Sequence, residues 1–160
     1  MLNIKIICIG KIKEKFLKEA IEEYQKRLKP YCKFSILELN EYKTSQNPST
    51  SEIHHTLEEE GKSILSKTSS NAFTCALCIE GKQFSSIELS KFIESTAIKG
   101  YSEIDFIIGG SFGLSNEVKK QSNFLFSMSK LTFPHQLARV ILAEQIYRSF
   151  QISSGGKYHK

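Results

Sequence analysis

No stretch of this chain approaches the roughly 20 consecutive apolar residues that a membrane-spanning helix needs. Its start, MLNIKIICIGKIK, also lacks the long apolar core and small-residue cleavage site of a secretory signal. It reads as the first strand of a cytoplasmic protein, and no membrane partner is expected. Cysteine is scarce: Cys8, Cys32, Cys75 and Cys78 are too few and too scattered for a disulfide scaffold in 160 residues. Cys75 and Cys78 form a C-x-x-C, but AFTCALCIE has strand character, so positions three apart point to opposite faces, and no second Cys/His pair follows at ligand spacing. Adjacent His54 and His55 would point ~100° apart on a helix, a poor geometry for one metal. Reduced, packed thiols and no metal site are expected. Internal repeats and interdomain linkers are missing too, so residues 1–160 should form a single domain around one core.

What is present is ordinary in bulk: 40% hydrophobic residues, 24% charged, and a mean hydropathy of -0.26. The net charge of +5 is more informative when divided along the chain. Residues 1–33 carry nine Lys/Arg against four acids, residues 34–110 six against eleven, and residues 111–160 seven against two, which is +5, -5 and +5. If the two basic ends meet in space they form one positive face, suited to an RNA backbone; solvated helix surface accounts equally well for the charges alone.

Strand and helix signals alternate, which predicts an α/β sheet, mostly parallel and flanked by helices. Strands are expected at 2–9, Phe34–Leu39, Phe73–Ile79, Ile104–Ile108 and Phe124–Met128. Helices are expected over Lys13–Leu28, with Leu17, Ala20, Ile21, Tyr24 and Leu28 as one stripe, and after Ser49, whose spacing to Glu52 fits a capping box, with Ile53, Leu57, Ile64 and Leu65 inward. Ser85 and Glu88 repeat that pattern before a helix with Leu89, Phe92, Ile93 and Ala97 inward, ended by Gly100. A short helix reaches about Gln121, and a long one runs from Pro134 to about Ile152. Residues 41–51 read as a loop and Glu80-Gly81-Lys82 as a turn.

Chemistry could sit at three places. Gly109, Gly110 and Gly113 follow a buried parallel strand, where open α/β sheets bind ligands because backbone N–H groups can be approached closely. The spacing is neither G-x-G-x-x-G nor a P-loop, and a turn without a ligand fits as well. The segment Met128–Gln136 joins a strand to the long helix, with Thr132 or Phe133 near the N-cap, and offers amides, hydroxyls and an aromatic that could hold an adenosyl group. The long helix, PHQLARVILAEQIYRSFQI, is apolar on most sides, so either a second subunit covers one face or the helix is wholly internal. The end, GGKYHK, reads as a frayed tail or as a hinged arm reaching a nucleic acid.

Together these pieces resemble the small SPOUT methyltransferases that modify N3 of a pseudouridine in bacterial large-subunit ribosomal RNA. The matching segments are Ile9-Gly10-Lys11, Glu80-Gly81-Lys82, Ile108–Leu114, Ser129–Arg148 and the terminal Tyr158-His159-Lys160. Their order and spacing over the whole chain carry the resemblance. It implies a deep C-terminal trefoil knot, a homodimer, and S-adenosylmethionine held by Leu77, Gly109 and Met128, Ser129, Lys130, Leu131, Thr132 and Phe133. Cys78 departs from the family pattern, in which an acidic residue usually follows the leucine; a carboxylate contact there is lost, whereas a backbone cradle is not. The donor methyl is already activated on a sulfonium, so the enzyme must align donor and acceptor and help N3–H lose its proton. The expected catalytic residues are His135, Arg139, Tyr158 and His159, the last two from the tail, which acts either in its own chain's site or in the partner subunit's. Lys11, Lys13, Lys15, Lys18, Lys157 and Lys160 are expected to meet RNA phosphates, with the assembled ribosome as substrate. A methyltransferase acting on another RNA and a non-enzymatic ribosome-binding module are the competing readings.

Overall fold

Ten elements alternate along residues 1–160 of the computed structural model. They are β1 (Asn3–Ile9), α1 (Lys15–Leu28), β2 (Lys33–Leu39), α2 (Thr50–Leu65), β3 (Phe73–Gln83), α3 (Ser86–Ile98), β4 (Glu103–Ile108), α4 (Asn116–Gln121), β5 (Phe124–Ser127) and α5 (His135–Ser153). All strand pairs are parallel, in the order β2-β1-β4-β3-β5. The central strands are covered on both faces, which is why β4 is an almost unbroken apolar run. Ile4, Ile6, Cys8, Ile104, Phe106 and Ile108 face α1, α3 and α5 through Leu28, Leu89, Ile93, Leu142 and Ile146. Ile7, Ile9 and Ile107 face α2 and α4 through Ile64 and Val118. Cys8, Cys32 and Cys75 are buried free thiols and Cys78 is half-exposed. No helix is long and apolar enough to cross a membrane.

Local chemistry sets the helix starts. The Ser49 and Ser85 hydroxyls accept from the amides of Glu52 and Glu88 at 3.2 and 3.1 Å, and Glu88 returns the bond to the Ser85 amide at 2.7 Å. Gly100, at φ +98, follows α3. Four expectations are corrected. The buried residues of α2 are Thr56, Glu60, Gly61 and Ile64, with Leu65 packed against the core beside them, while Ile53 and Leu57 are only half-buried. The cause is Gly61, where a Cβ would lie 2.6 Å from the Ser115 hydroxyl: the helix turns this residue inward to approach α4 closely. In α3, Thr96 is buried and Ala97 exposed. Residues 80–82 are not a free turn: β3 bulges between Leu77 and Lys82, both of which pair with Phe126, then runs on to Gln83. A Cβ on Gly81 would meet the Phe126 backbone at 2.6 Å, so this return path admits only glycine. Finally, α5 begins after Pro134 rather than Thr132 or Phe133, with no side-chain cap.

At the opposite end of the sheet, Asp105 is fully buried, 3.3 Å from Lys5, whose ammonium also donates to Glu103 at 2.9 Å. Burial, reinforced by Glu103 and opposed by Lys5, pushes the Asp105 carboxyl up from 3.8 to about 6. The folded chain therefore binds a proton that the unfolded chain has released, and stability falls as pH rises through that window. Asp105→Asn should raise the melting temperature above pH 6 by roughly 2–8 °C, for about 1–2 kcal/mol. The gain should vanish below pH 3.8, and thermal melts across this range showing a pH-independent gain would contradict the assignment.

Candidate functional site

The C-terminal ends of β4, β3 and β5 open into a cleft of about 720 Å³, the edge at which open parallel sheets bind ligands. One wall is the glycine turn after β4. Gly110 and Gly113 form a bridge, Gly113 has φ +83, and a Cβ on Gly109 would stand 2.2 Å from the Gly113 carbonyl oxygen. The turn folds back on itself only because residue 109 has no side chain. The second wall is the loop 128–133, held by its serines: Ser127 Oγ donates to the Ser129 carbonyl at 3.0 Å, and Ser129 Oγ accepts from the Leu131 amide at 3.0 Å. The third is the bulged part of β3, Leu77–Glu80, with Glu80 paired to Lys119 of α4. Exposed Ile79, Phe112 and Leu131 make the rim apolar.

Of the expected cofactor residues, Leu77, Gly109, Met128, Ser129, Leu131, Thr132 and Phe133 line this cleft. Lys130 is exposed outside it. Sequence reasoning missed Ile79, Glu80, Phe112 and Lys119. The Glu-Gly-Lys motif could have pointed to Glu80, but nothing in the spacing of α4 marks Lys119 as its partner.

The four expected catalytic residues are not brought together. His135, first in α5, lines the cleft; its Nε2 is buried without a hydrogen-bond partner, 3.9 Å from Glu41. Burial and the positive charges of Arg139 and Lys13 hold the imidazole pKa below 6.5, against the pull of Glu41. This environment disfavours the charged imidazolium. Arg139 does not reach the cleft. It is completely buried, donating to Glu38 at 3.0 Å and to the Ile9 carbonyl at 2.6 Å, and so fastens α5 to the ends of β1 and β2. The tail does not fray: Tyr158 donates to Glu144 at 3.1 Å beneath the Arg148 guanidinium, and His159 lies 3.3 Å from Arg148. That docking site is ~14 Å along α5 from His135, at 1.5 Å per residue, so the tail does not enter its own chain's cleft. Burial pushes the Tyr158 phenol up to about 12, with Tyr24 and Glu144 reinforcing it, so it remains protonated.

The loop 40–49 is pinned above the same edge, by the Tyr42 amide to Glu60 at 3.1 Å and by Thr44 to Thr56 at 2.9 Å. It thereby carries Glu41 to His135. The two basic ends of the chain do meet: α1 packs on α5, and the Lys13 amide donates to Gln136 at 3.1 Å.

A family model described as "Predicted SPOUT methyltransferase" matches residues 2–159. The chain belongs to this family. It is 50% identical to the Ribosomal RNA large subunit methyltransferase H of Streptococcus uberis and 49% identical to that of Clostridium acetobutylicum, each over 159 residues, 99% of this chain and 100% of the relative. A solved "probable methylase family protein" from Haemophilus influenzae shares the fold, with a TM-score of 0.55 at 10% identity, covering 98% of this chain and 70% of the other. As a SPOUT methyltransferase the chain is an enzyme, and the five-stranded parallel sheet is the frame on which its glycine turn and loop 128–133 converge.

Proposed function

We propose that this enzyme transfers a methyl group from S-adenosylmethionine to N3 of a pseudouridine in large-subunit ribosomal RNA. It acts as a cytoplasmic homodimer on the assembled ribosome, and residues 1–160 form one domain whose C-terminal part is threaded as a deep trefoil knot. The cleft carries the reading: a glycine turn and a serine-braced loop face each other beside a histidine whose charged form burial disfavours. This occurs in a chain half-identical over its length to proteins named for methylating large-subunit ribosomal RNA. The return of β3 against β5 at Gly81 supports the threading, and the exposed Leu137 with half-buried Ile141 supports a partner on the outer side of α5.

The residues fit the cofactor. The cleft volume lies within the ~300–1,000 Å³ typical of small-molecule sites, and its walls are mainly apolar side chains and backbone. Leu77, Gly109, Met128, Ser129, Leu131, Thr132 and Phe133 would hold it, and Lys130 is left to the RNA. S-adenosylmethionine supplies a methyl group already activated on its sulfonium. The protein's own work is alignment and proton removal. His135, whose charged form is disfavoured first by burial and then by Arg139 one turn further on, accepts the N3 proton, and Glu41 stabilises the imidazolium that results. Arg139 acts through this placement rather than by touching the base.

Tyr158 and His159 complete the partner's cleft. Truncation after Gly156 should lower methylation at least ten-fold, and a mixed dimer joining a truncated chain to a His135→Ala chain should recover one working site. Unchanged methylation by the truncated homodimer would remove the tail from the mechanism. The direct test of function is mass spectrometry of large-subunit RNA from cells lacking the protein: one pseudouridine should lose its N3 methyl. A methyl missing from another RNA would redirect the assignment.

A further inference from the structure

We infer that Phe16 is a stacking platform for an unpaired base of the RNA substrate. The inference rests on the proposal that the substrate is RNA. Phe16 lies in the first turn of α1 and is 66% exposed, whereas the core-facing stripe of that helix is Leu17, Ile21 and Leu28. The fold does not use this ring. Residues 11–18, KIKEKFLK, hold four lysines and one glutamate, so the ring stands in a strip of net charge +3. All four lysines are exposed, and Lys15, 89% exposed, has Glu19 at 3.8 Å as its ion-pair partner. Buried Ile12 anchors the strip to the body, and the bond from the Lys13 amide to Gln136 fixes it beside the residue that follows His135, which lines the cleft.

An aromatic face among cations, next to a cleft where a nucleobase must be presented, matches the way proteins bind single-stranded RNA. Lysines take the phosphates, and an exposed ring takes the face of a splayed base. A duplex is a poor occupant because its base faces are stacked internally. A second copy of this chain is disfavoured by charge, since it would bring one +3 strip against another.

The chain contains no tryptophan, so Phe16→Trp creates a single reporter at the platform. Its fluorescence should be quenched on adding single-stranded polyuridine, with affinity retained. Phe16→Ala should bind the same RNA roughly ten-fold more weakly, in line with loss of one stacked base. Its KM for ribosomes should rise while kcat and cofactor affinity stay unchanged. Its salt dependence should keep the wild-type slope, whereas Lys15→Gln or Lys18→Gln should each flatten the slope by ~0.7. RNA binding without quenching overturns the platform, as does Phe16→Ala with unchanged RNA affinity. A Phe16→Ala dimer that dissociates while RNA affinity holds places the ring between copies of the chain and also overturns it. Failure of the underlying RNA reading is seen separately, as an unaltered protein that neither binds nor methylates RNA.

Discussion

Replacing His135 with alanine should lower kcat for methyl transfer by ~10²–10⁴-fold, the usual contribution of a positioned general base, while cofactor affinity is largely retained. His135 is the one expected catalytic residue that lines the cleft, and its Nε2 has no hydrogen-bond partner within the chain. Its charge environment also predicts a pH profile. The folded pKa lies below 6.5, so the rate should rise with pH through a value under 6.5 and then level off. Three charged groups face the ring from three segments: Glu41 raises its pKa, and Arg139 and Lys13 lower it. Glu41→Gln should therefore move the acid limb to lower pH, and Lys13→Gln should move it to higher pH. A His135→Ala enzyme of full activity, or a limb unmoved by both neutral substitutions, would contradict the assignment.

The second large effect is expected at Gly109. An alanine Cβ there would stand 2.2 Å from the Gly113 carbonyl oxygen, and both the atom it meets and the atom that carries it belong to the backbone. No side chain can move aside, so the turn itself must open. Gly109→Ala should weaken S-adenosylmethionine binding by about a hundred-fold or more, on the order of 3 kcal/mol. Gly100→Ala is the control. That position has φ +98 and nothing within 4 Å of the added Cβ, so it should cost about 1–2 kcal/mol of stability through backbone strain and leave cofactor binding intact. Calorimetric titration separates the two, with a thermal melt to establish that each variant folds cooperatively. A Gly109→Ala protein that binds the cofactor normally would move the site elsewhere.

Local rules made the element order legible. The Ser85–Glu88 box, the β4 run and the α1 stripe each contain their information within a few residues and form where they were expected, while at Ser49 only the serine half of the box forms. What escaped the sequence depends on contacts between distant segments. The inward face of α2 is partly polar because Glu60 receives the Tyr42 amide and Gly61 meets α4, and neither partner lies near them in the chain. Arg139 was expected among the catalytic residues from the family resemblance. Its actual partners, Glu38 and the Ile9 carbonyl, are more than 100 residues away. Whether GGKYHK frays or forms an arm stayed open because it buries little by itself, and Glu144 and Arg148 of α5 provide its dock. The cleft was half legible: its glycines and the Met128–Phe133 loop are contiguous motifs, while Glu80 and Lys119 meet only after β3 and α4 are placed.

The central claim is that this cleft delivers a methyl group to one ribosomal pseudouridine. The most direct measurement supplies purified protein and S-adenosylmethionine to ribosomes from cells lacking the protein, followed by mass spectrometry of the digested large-subunit RNA. One methyl per ribosome is expected, at N3 of a pseudouridine, and none when His135→Ala replaces the unaltered enzyme over the same time. Cofactor binding with no methyl incorporated, or incorporation at a different atom, would contradict it.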